Sequence, residues 1–276
     1  MGAEVTATMS SVIRLPMPPR AVRFRGPGPG WRKPSRDGRL LAKSVFPIMP
    51  YERRSPDALA ADFTSIGSAF FLTSSGLFLT AKHVVADYIE TNRSALAVLR
   101  WYTTRAGDRG LLRCEIASLQ LHPTLDVAVG VAAVGSSLVE LPRPLTLSRL
   151  PLKIGDAVAV YGYSHTRAEE PGPRALTLQF WPTDHHGHVQ GTRSLTHLVG
   201  GGSLYLLDAQ ILGGASGAPV VSRSRLEVHA VISTGIADAC GFATDIRDFV
   251  DSWPIDALGG TLAAYAEEYP RELSLK

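Results

Sequence analysis

Three short segments of the chain carry residue types that could cooperate in acyl transfer. In Leu79-Thr80-Ala81-Lys82-His83-Val84-Val85 an apolar run meets a histidine, and in His122-Pro123-Thr124-Leu125-Asp126-Val127-Ala128-Val129 an aspartate stands at the entrance of another apolar run. In Gly213-Gly214-Ala215-Ser216-Gly217-Ala218-Pro219 a serine sits in a glycine-rich turn. Attack by a serine hydroxyl on a carbonyl needs a base to take its proton, an acid to hold that base in the right tautomer, and backbone N–H groups aimed at the developing oxyanion. Singly, each segment has a plain structural reading: a histidine ending a strand, an aspartate in a turn, a Gly-Ser loop. Together they supply every group the reaction needs. Ser216 is then the candidate nucleophile, His83 the base and Asp126 the group that orients it.

Such groups must be held by a folded scaffold, and the pattern beyond about residue 61 describes one. Short apolar or alternating runs follow each other at 68–73, 77–80, 96–102, 112–121, 127–134, 157–163, 204–209, 218–222 and 228–234, bounded by Gly, Pro, Ser, Asp or Arg. Many short strands at regular spacing predict an all-β sandwich or barrel and argue against alternating β and α units. The stretch 134–153, rich in proline and poor in alternation, reads as a link between two barrel-like halves. Helical periodicity emerges at Ala257–Glu268, with Pro254 before it and Pro270 after it.

Composition narrows the class. The chain has 276 residues, a net charge of +3, 45% hydrophobic and 19% charged residues, which excludes a disordered polyelectrolyte. No apolar run reaches the roughly 18 residues of a spanning helix. The two cysteines, Cys114 and Cys240, match neither a disulfide framework nor a zinc pattern and read as small apolar residues. Residues 1–60 carry 11 Lys/Arg against 4 Asp/Glu and hold 9 of the 19 prolines. This stretch reads as a mostly disordered arm: a solvated tail, with an electrostatic tether to nucleic acid or another acidic partner as its functional alternative. Met1–Arg20 lacks a signal-peptide core, so a cytoplasmic location is expected.

The order His83, Asp126, Ser216 is that of the double β-barrel proteases, whereas subtilisin-like enzymes run Asp, His, Ser and α/β-hydrolases Ser, Asp, His. The segments Gly67-Ser68-Ala69-Phe70 with Leu79–Val85, His122–Ala128, Leu152-Lys153-Ile154-Gly155-Asp156-Ala157-Val158 with Tyr161-Gly162-Tyr163, and Asp208-Ala209-Gln210-Ile211 running into Gly214–Pro219 stand in family order. Over about residues 65–250 the chain therefore resembles the trypsin/chymotrypsin superfamily, most closely its bacterial Deg/HtrA-type branch. The resemblance implies two antiparallel six-stranded β-barrels, an N-terminal one (61–150) carrying His83 and Asp126 and a C-terminal one (151–252) carrying Ser216, followed by a helical tail (253–276). It also implies an oxyanion hole made of the N–H groups of Gly214 and Ser216. Ser233, Thr234 and Gly235 would pair with the substrate backbone, and Gln210 and Ile211 would line the primary specificity pocket.

The implied activity is serine endopeptidase action on protein or peptide substrates, with no cofactor and no metal. A non-catalytic or self-cleaving binding module on the same fold is the alternative. Ala215 stands where trypsin-like zymogens place an aspartate, so activation by an ion pair to a new N-terminus is not available. Ala218 replaces a usual glycine. Gln210 makes cleavage after Lys or Arg unfavourable and favours a small or medium apolar residue before the cut. No PDZ module is expected after the barrel, and because an unregulated protease would be harmful in the cytoplasm, narrow specificity or a latent triad that a substrate or regulatory partner assembles is expected. The cluster Asp184-His185-His186-Gly187-His188 reads as a solvated inter-strand loop rather than a metal site, His165, His197 and His229 as structural or surface groups, and Asn92-Arg93-Ser94 as a glycosylation match without consequence.

Overall fold

The computed structural model describes residues 35–51, 63–64, 66–91, 95–103, 109–134, 141–164, 167–172, 175–179, 182–194, 202–236 and 240–276. Most of residues 1–60 and the Asn92-Arg93-Ser94, His165 and His197 positions lie outside the described residues. In chain order the first half holds helix α1 (Arg36–Leu41) and strands β1 (Val45–Tyr51), β2 (Phe63–Thr64), β3 (Gly67–Phe71) and β4 (Leu77–Thr80). Helix α2 (Lys82–Thr91) and strands β5 (Ala95–Thr103), β6 (Arg109–Leu121) and β7 (Ala128–Ala132) complete it. The second half holds β8 (Ala157–Tyr163), β9 (Arg167–Gly172), β10 (Ala175–Gln179), β11 (Pro182–Ser194), β12 (Ser203–Leu207), β13 (Pro219–Ser222), β14 (Val228–Ile236) and β15 (Cys240–Asp245), then helix α3 (Leu262–Glu268).

Twelve of these strands close into two antiparallel six-stranded barrels, ordered β1-β3-β4-β7-β6-β5 and β11-β12-β15-β14-β13-β8. A third, small sheet, β10-β9-β2, joins the two halves through Phe63↔Ala168 and Thr64↔Arg167. The double barrel expected from the resemblance is thus the architecture of the chain.

Alternation along β3 shows how one strand serves two cores. Ala69 and Phe71 point into the first barrel, where Phe71 packs on Phe46 with ring centroids 4.2 Å apart. Phe70 and Leu72 point the other way, into a core shared with Tyr161, Tyr163, Val221 and Val231 of the second barrel. Both faces of the strand are buried, so the segment is apolar almost throughout rather than alternating. The last residues of the chain belong to this shared core: Phe249, Val250, Trp253, Leu262, Ala266 and Leu273 are buried in it.

Three expectations are corrected. The arm does not extend to residue 60, because Val45–Tyr51 is the first barrel's opening strand. Its sequence VFPIMPY reads as a breaker on account of Pro47 and Pro50, yet β1 pairs with β3 over Val45–Ile48 and with β5 over Ile48–Tyr51. Each proline therefore lies where only one flank of the strand is paired, and its missing N–H leaves no gap in the ladder. Asp184–His188 is not a loop but part of β11, paired residue for residue with Tyr161–Ala157 of β8. The C-terminal helix is shorter than its pattern: Asp256–Leu258 is a separate 3-10 turn, Gly259 adopts φ +67°, and α3 begins only after Thr261, whose side chain accepts from Ala264 N.

Candidate active site

His83 leaves β4 through Ala81 and occupies the first turn of α2, a helix that the sequence reading missed because only ten residues carry it. Its backbone N–H is one of the orphan donors of a helix start. Asp126 Oδ1 accepts that N–H at 3.0 Å, while the same carboxylate faces the ring, Nδ1 lying 2.9 Å from Oδ2 and 3.1 Å from Oδ1. One carboxylate thus fixes both the backbone and the ring of His83. Asp126 is 7% exposed, whereas half of the histidine side chain reaches solvent. The ring can meet a substrate while its anchor stays dry.

The loop carrying Asp126 is built around His122, a residue the sequence motif contained without a role. Its ring Nδ1 accepts from Leu125 N at 2.9 Å and from Thr124 N at 3.2 Å, so the imidazole acts as the acceptor of a tight turn. The ring packs edge-on against Trp253, and Lys82 Nζ donates to the carbonyls of His122 and Pro123 at 2.9 and 3.3 Å. Burial, and then the charge of Lys82, hold His122 below the ordinary histidine pKa. A proton on Nδ1 would displace both N–H donors. The folded-state value is lowered, so this stability is complete above about pH 6.5 and is lost as the pH falls through the folded value. Urea unfolding is expected to show stability falling below pH 6.5 and a shallower slope in His122→Gln; an unchanged slope in that variant would assign the acid sensitivity elsewhere. His185 and His229, also lowered chiefly by burial, contribute in the same direction.

Ser216 lies in the turn between β12 and β13. Gly214 and Gly217 have φ of +88° and +85°, a region open to glycine and strained for other residues. The turn is pressed against the first barrel: Ser68 N donates to Ser216 O at 2.8 Å, and a Cβ on Gly217 would lie 2.1 Å from Ser68 O and 3.0 Å from Ala81 N. The serine therefore stands beside the strand end that leads into His83. Among the described residues, the N–H groups of Gly214 and Ser216 have no intramolecular acceptor, while Ala215 N and Gly217 N are bonded to Leu212 O and Ile232 O. The Ser216 hydroxyl donates to the carbonyl of Ser233 at 3.2 Å. Ala218 is accommodated because Gly162 lies opposite; a Cβ on Gly162 would be 3.2 Å from that of Ala218. Ala215 is fully buried with no charge to pair.

The remaining sequence-derived site residues gather on the second barrel. Ser233 turns its side chain inward to Thr244 Oγ1 at 2.7 Å, leaving its carbonyl toward Ser216; Thr234 and Gly235 are exposed. β13 pairs with β14 only as far as Pro219↔Val231, and the turn itself bonds Ile232. Beyond that, among the described residues, 234–236 pair with β15 alone, and Ser233 stands at the register shift between Ile232 and Thr234. One flank of that strand is therefore an open edge. Ile211 is buried against the cross-strand pair Gly235 and Gly241, whose absent side chains leave it room, and Gln210 is exposed beside it.

The carboxylates of β11 and its neighbour are engaged locally. Asp184 accepts Ser35 N at 2.8 Å and faces His186 Nε2 at 3.2 Å, and Asp208 accepts His188 N. No group of three His, Cys, Asp or Glu among the described residues is arranged to hold a metal ion. Cys114 is buried, and no disulfide joins it to Cys240. No helix among the described residues is long and apolar enough to cross a membrane.

A family model for the trypsin-like peptidase domain matches residues 67–231, more than half of the chain. The chain belongs to that family. The match begins at β3 and ends within β14, so it takes in His83, Asp126 and the Ser216 turn. Solved structures share the trypsin-like fold at low identity. Deg5 is 22% identical with a TM-score of 0.53, covering 77% of this chain and 88% of that one. The active form of the Rv3671c protease from M. tuberculosis is 19% identical with a TM-score of 0.53, covering 82% and 86%. A serine-to-alanine variant of the HtrA-type protease AlgW with a tripeptide is 18% identical with a TM-score of 0.51, covering 83% and 60%. No curated protein sequence matches the chain.

Proposed function

We propose that the chain is a serine endopeptidase acting through Ser216, His83 and Asp126 and an acyl-enzyme intermediate. The observation that carries this reading is the double hold of Asp126 on His83, which leaves Nε2 as the free ring nitrogen. In the proposed reaction Ser216 Oγ attacks the scissile carbonyl and His83 Nε2 takes its proton, then returns it to the leaving amine. The N–H groups of Gly214 and Ser216 receive the oxyanion. Water repeats the sequence on the ester. The Ser216 hydroxyl must first leave the Ser233 carbonyl.

Substrate would be recognised as an added strand on the open edge at Ser233–Gly235, with main-chain bonds giving affinity. The side chain before the cut would meet Gln210 and Ile211, which offer no charge to Lys or Arg, so small or medium apolar residues are favoured there. The bond from the Ser216 hydroxyl to the Ser233 carbonyl, which turns the hydroxyl to its own barrel, favours one refinement, that of a site completed on substrate binding. Incubation of a peptide library with the chain, read by mass spectrometry of the new termini, is expected to give cuts after small or medium apolar residues that vanish in Ser216→Ala. Cuts after Lys or Arg would overturn the pocket assignment, and cuts retained in Ser216→Ala would overturn the nucleophile.

A further inference from the structure

We propose that Ser68 is a positioning residue for the oxyanion hole, holding from the first barrel the two residues of the second barrel whose N–H groups would receive the oxyanion. The inference rests on the peptidase reading above and deepens it. Ser68 lies on the face of β3 that looks away from its own barrel, in register with Phe70 and Leu72. It is completely buried, and its N–H and hydroxyl are spent across the gap between barrels. Its N–H donates to the carbonyl of Ser216 at 2.8 Å, and its hydroxyl donates to the carbonyl of Gly214 at 2.8 Å. The same hydroxyl accepts Tyr163 N at 2.8 Å, and its own carbonyl accepts Thr80 Oγ1 at 2.8 Å.

The pattern is specific to the hole. The N–H groups of Gly214 and Ser216 have no acceptor among the described residues, and the carbonyls of those same two residues are the ones Ser68 holds. A hydroxyl has one proton, and with Tyr163 N–H supplied to its oxygen that proton is directed to Gly214 O. Gly214 is the residue most in need of such a hold, since a glycine at φ +88° has a soft backbone on which the neighbouring peptide could turn over. The ion pair to a freshly cut N-terminus by which trypsin-like zymogens are activated cannot form here, because Ala215 has no charge to offer. A bond from the first barrel takes its place, so the hole is assembled only when the barrels are docked. Preorganised donors act because they need no rearrangement during reaction, and a misplacement of about 1 Å can lower the rate about 100-fold.

The test measures p-nitrophenyl acetate hydrolysis by the full chain, by Ser68→Ala and by Ser68→Cys, with Ser216→Ala as the blank and thermal unfolding recorded for each. Ser68→Ala is expected to lower kcat about 10- to 100-fold with KM within about twofold and the pH midpoint of kcat/KM unmoved. Ser68→Cys keeps the volume with a weaker donor, so a smaller loss in kcat is expected; it carries the test should the alanine variant not fold. A folded Ser68→Ala or Ser68→Cys with a lowered melting temperature and unchanged kcat would show a merely structural serine and overturn the inference. Absence of Ser216-dependent hydrolysis in the unsubstituted chain is a separate result, which overturns the peptidase reading and the inference with it.

Discussion

Asp126→Asn is expected to lower kcat about 10⁴-fold while leaving KM within a few-fold. The size follows from the way the carboxylate is used. Its Oδ1 accepts the backbone N–H of His83, an N–H that no rotation of the ring can remove. An asparagine at this position must keep its oxygen on that donor, which turns its NH2 toward Nδ1. Nδ1 then becomes an acceptor, the ring proton moves to Nε2, and the base presents a proton to Ser216 instead of a lone pair. Binding of substrate to the open edge of β14 would be untouched. Steady-state kinetics on any ester or peptide the chain turns over would check this; a loss below tenfold would mean that Asp126 does not set the tautomer of His83.

The second large effect is on stability. Gly217→Ala is expected to destabilise the fold by about 3–5 kcal/mol, seen as a fall of roughly 10 °C in melting temperature. The conformation at φ +85° alone disfavours a side chain by about 1–2 kcal/mol. The larger part is steric, since the new Cβ would lie 2.1 Å from Ser68 O and 2.3 Å from Thr80 Oγ1. The first of these is backbone within a paired strand, and Thr80 is held by its bond to Ser68, so neither can yield without moving the Ser216 turn off the first barrel. Retention of the parental melting temperature and activity in this variant would show that the contact between turn and barrel is looser than described.

Most of the double barrel was legible because its strands are short, apolar and separated by turn residues. The runs at 77–80, 157–163 and 228–234 coincide with β4, β8 and the start of β14. What escaped the pattern escaped for definite physical reasons. β1 was hidden by two prolines that sit on unpaired flanks. β11, with Asp184, three histidines and two glycines, has the composition of a loop and is a strand only because β8 and β12 pair with both its sides. α2 is too short to declare a period, and its start is satisfied by a side chain 43 positions away rather than by a local cap. The three residues proposed for acyl transfer are named by type and order, while the groups that hold them in place are not. Ser68 and His122 act through backbone groups distant in sequence or through a ring nitrogen used as a turn acceptor, and neither use leaves a motif.

The claim on which everything else depends is that Ser216 is an activated nucleophile, and fluorophosphonate labelling of the full chain tests it without knowledge of the substrate. Intact mass is expected to show a single adduct, peptide mapping to place it on Ser216, and Ser216→Ala and His83→Ala to abolish it. A folded chain that takes no label, or one that takes it equally well after Ser216→Ala, would contradict the assignment of Ser216, His83 and Asp126 as a working triad.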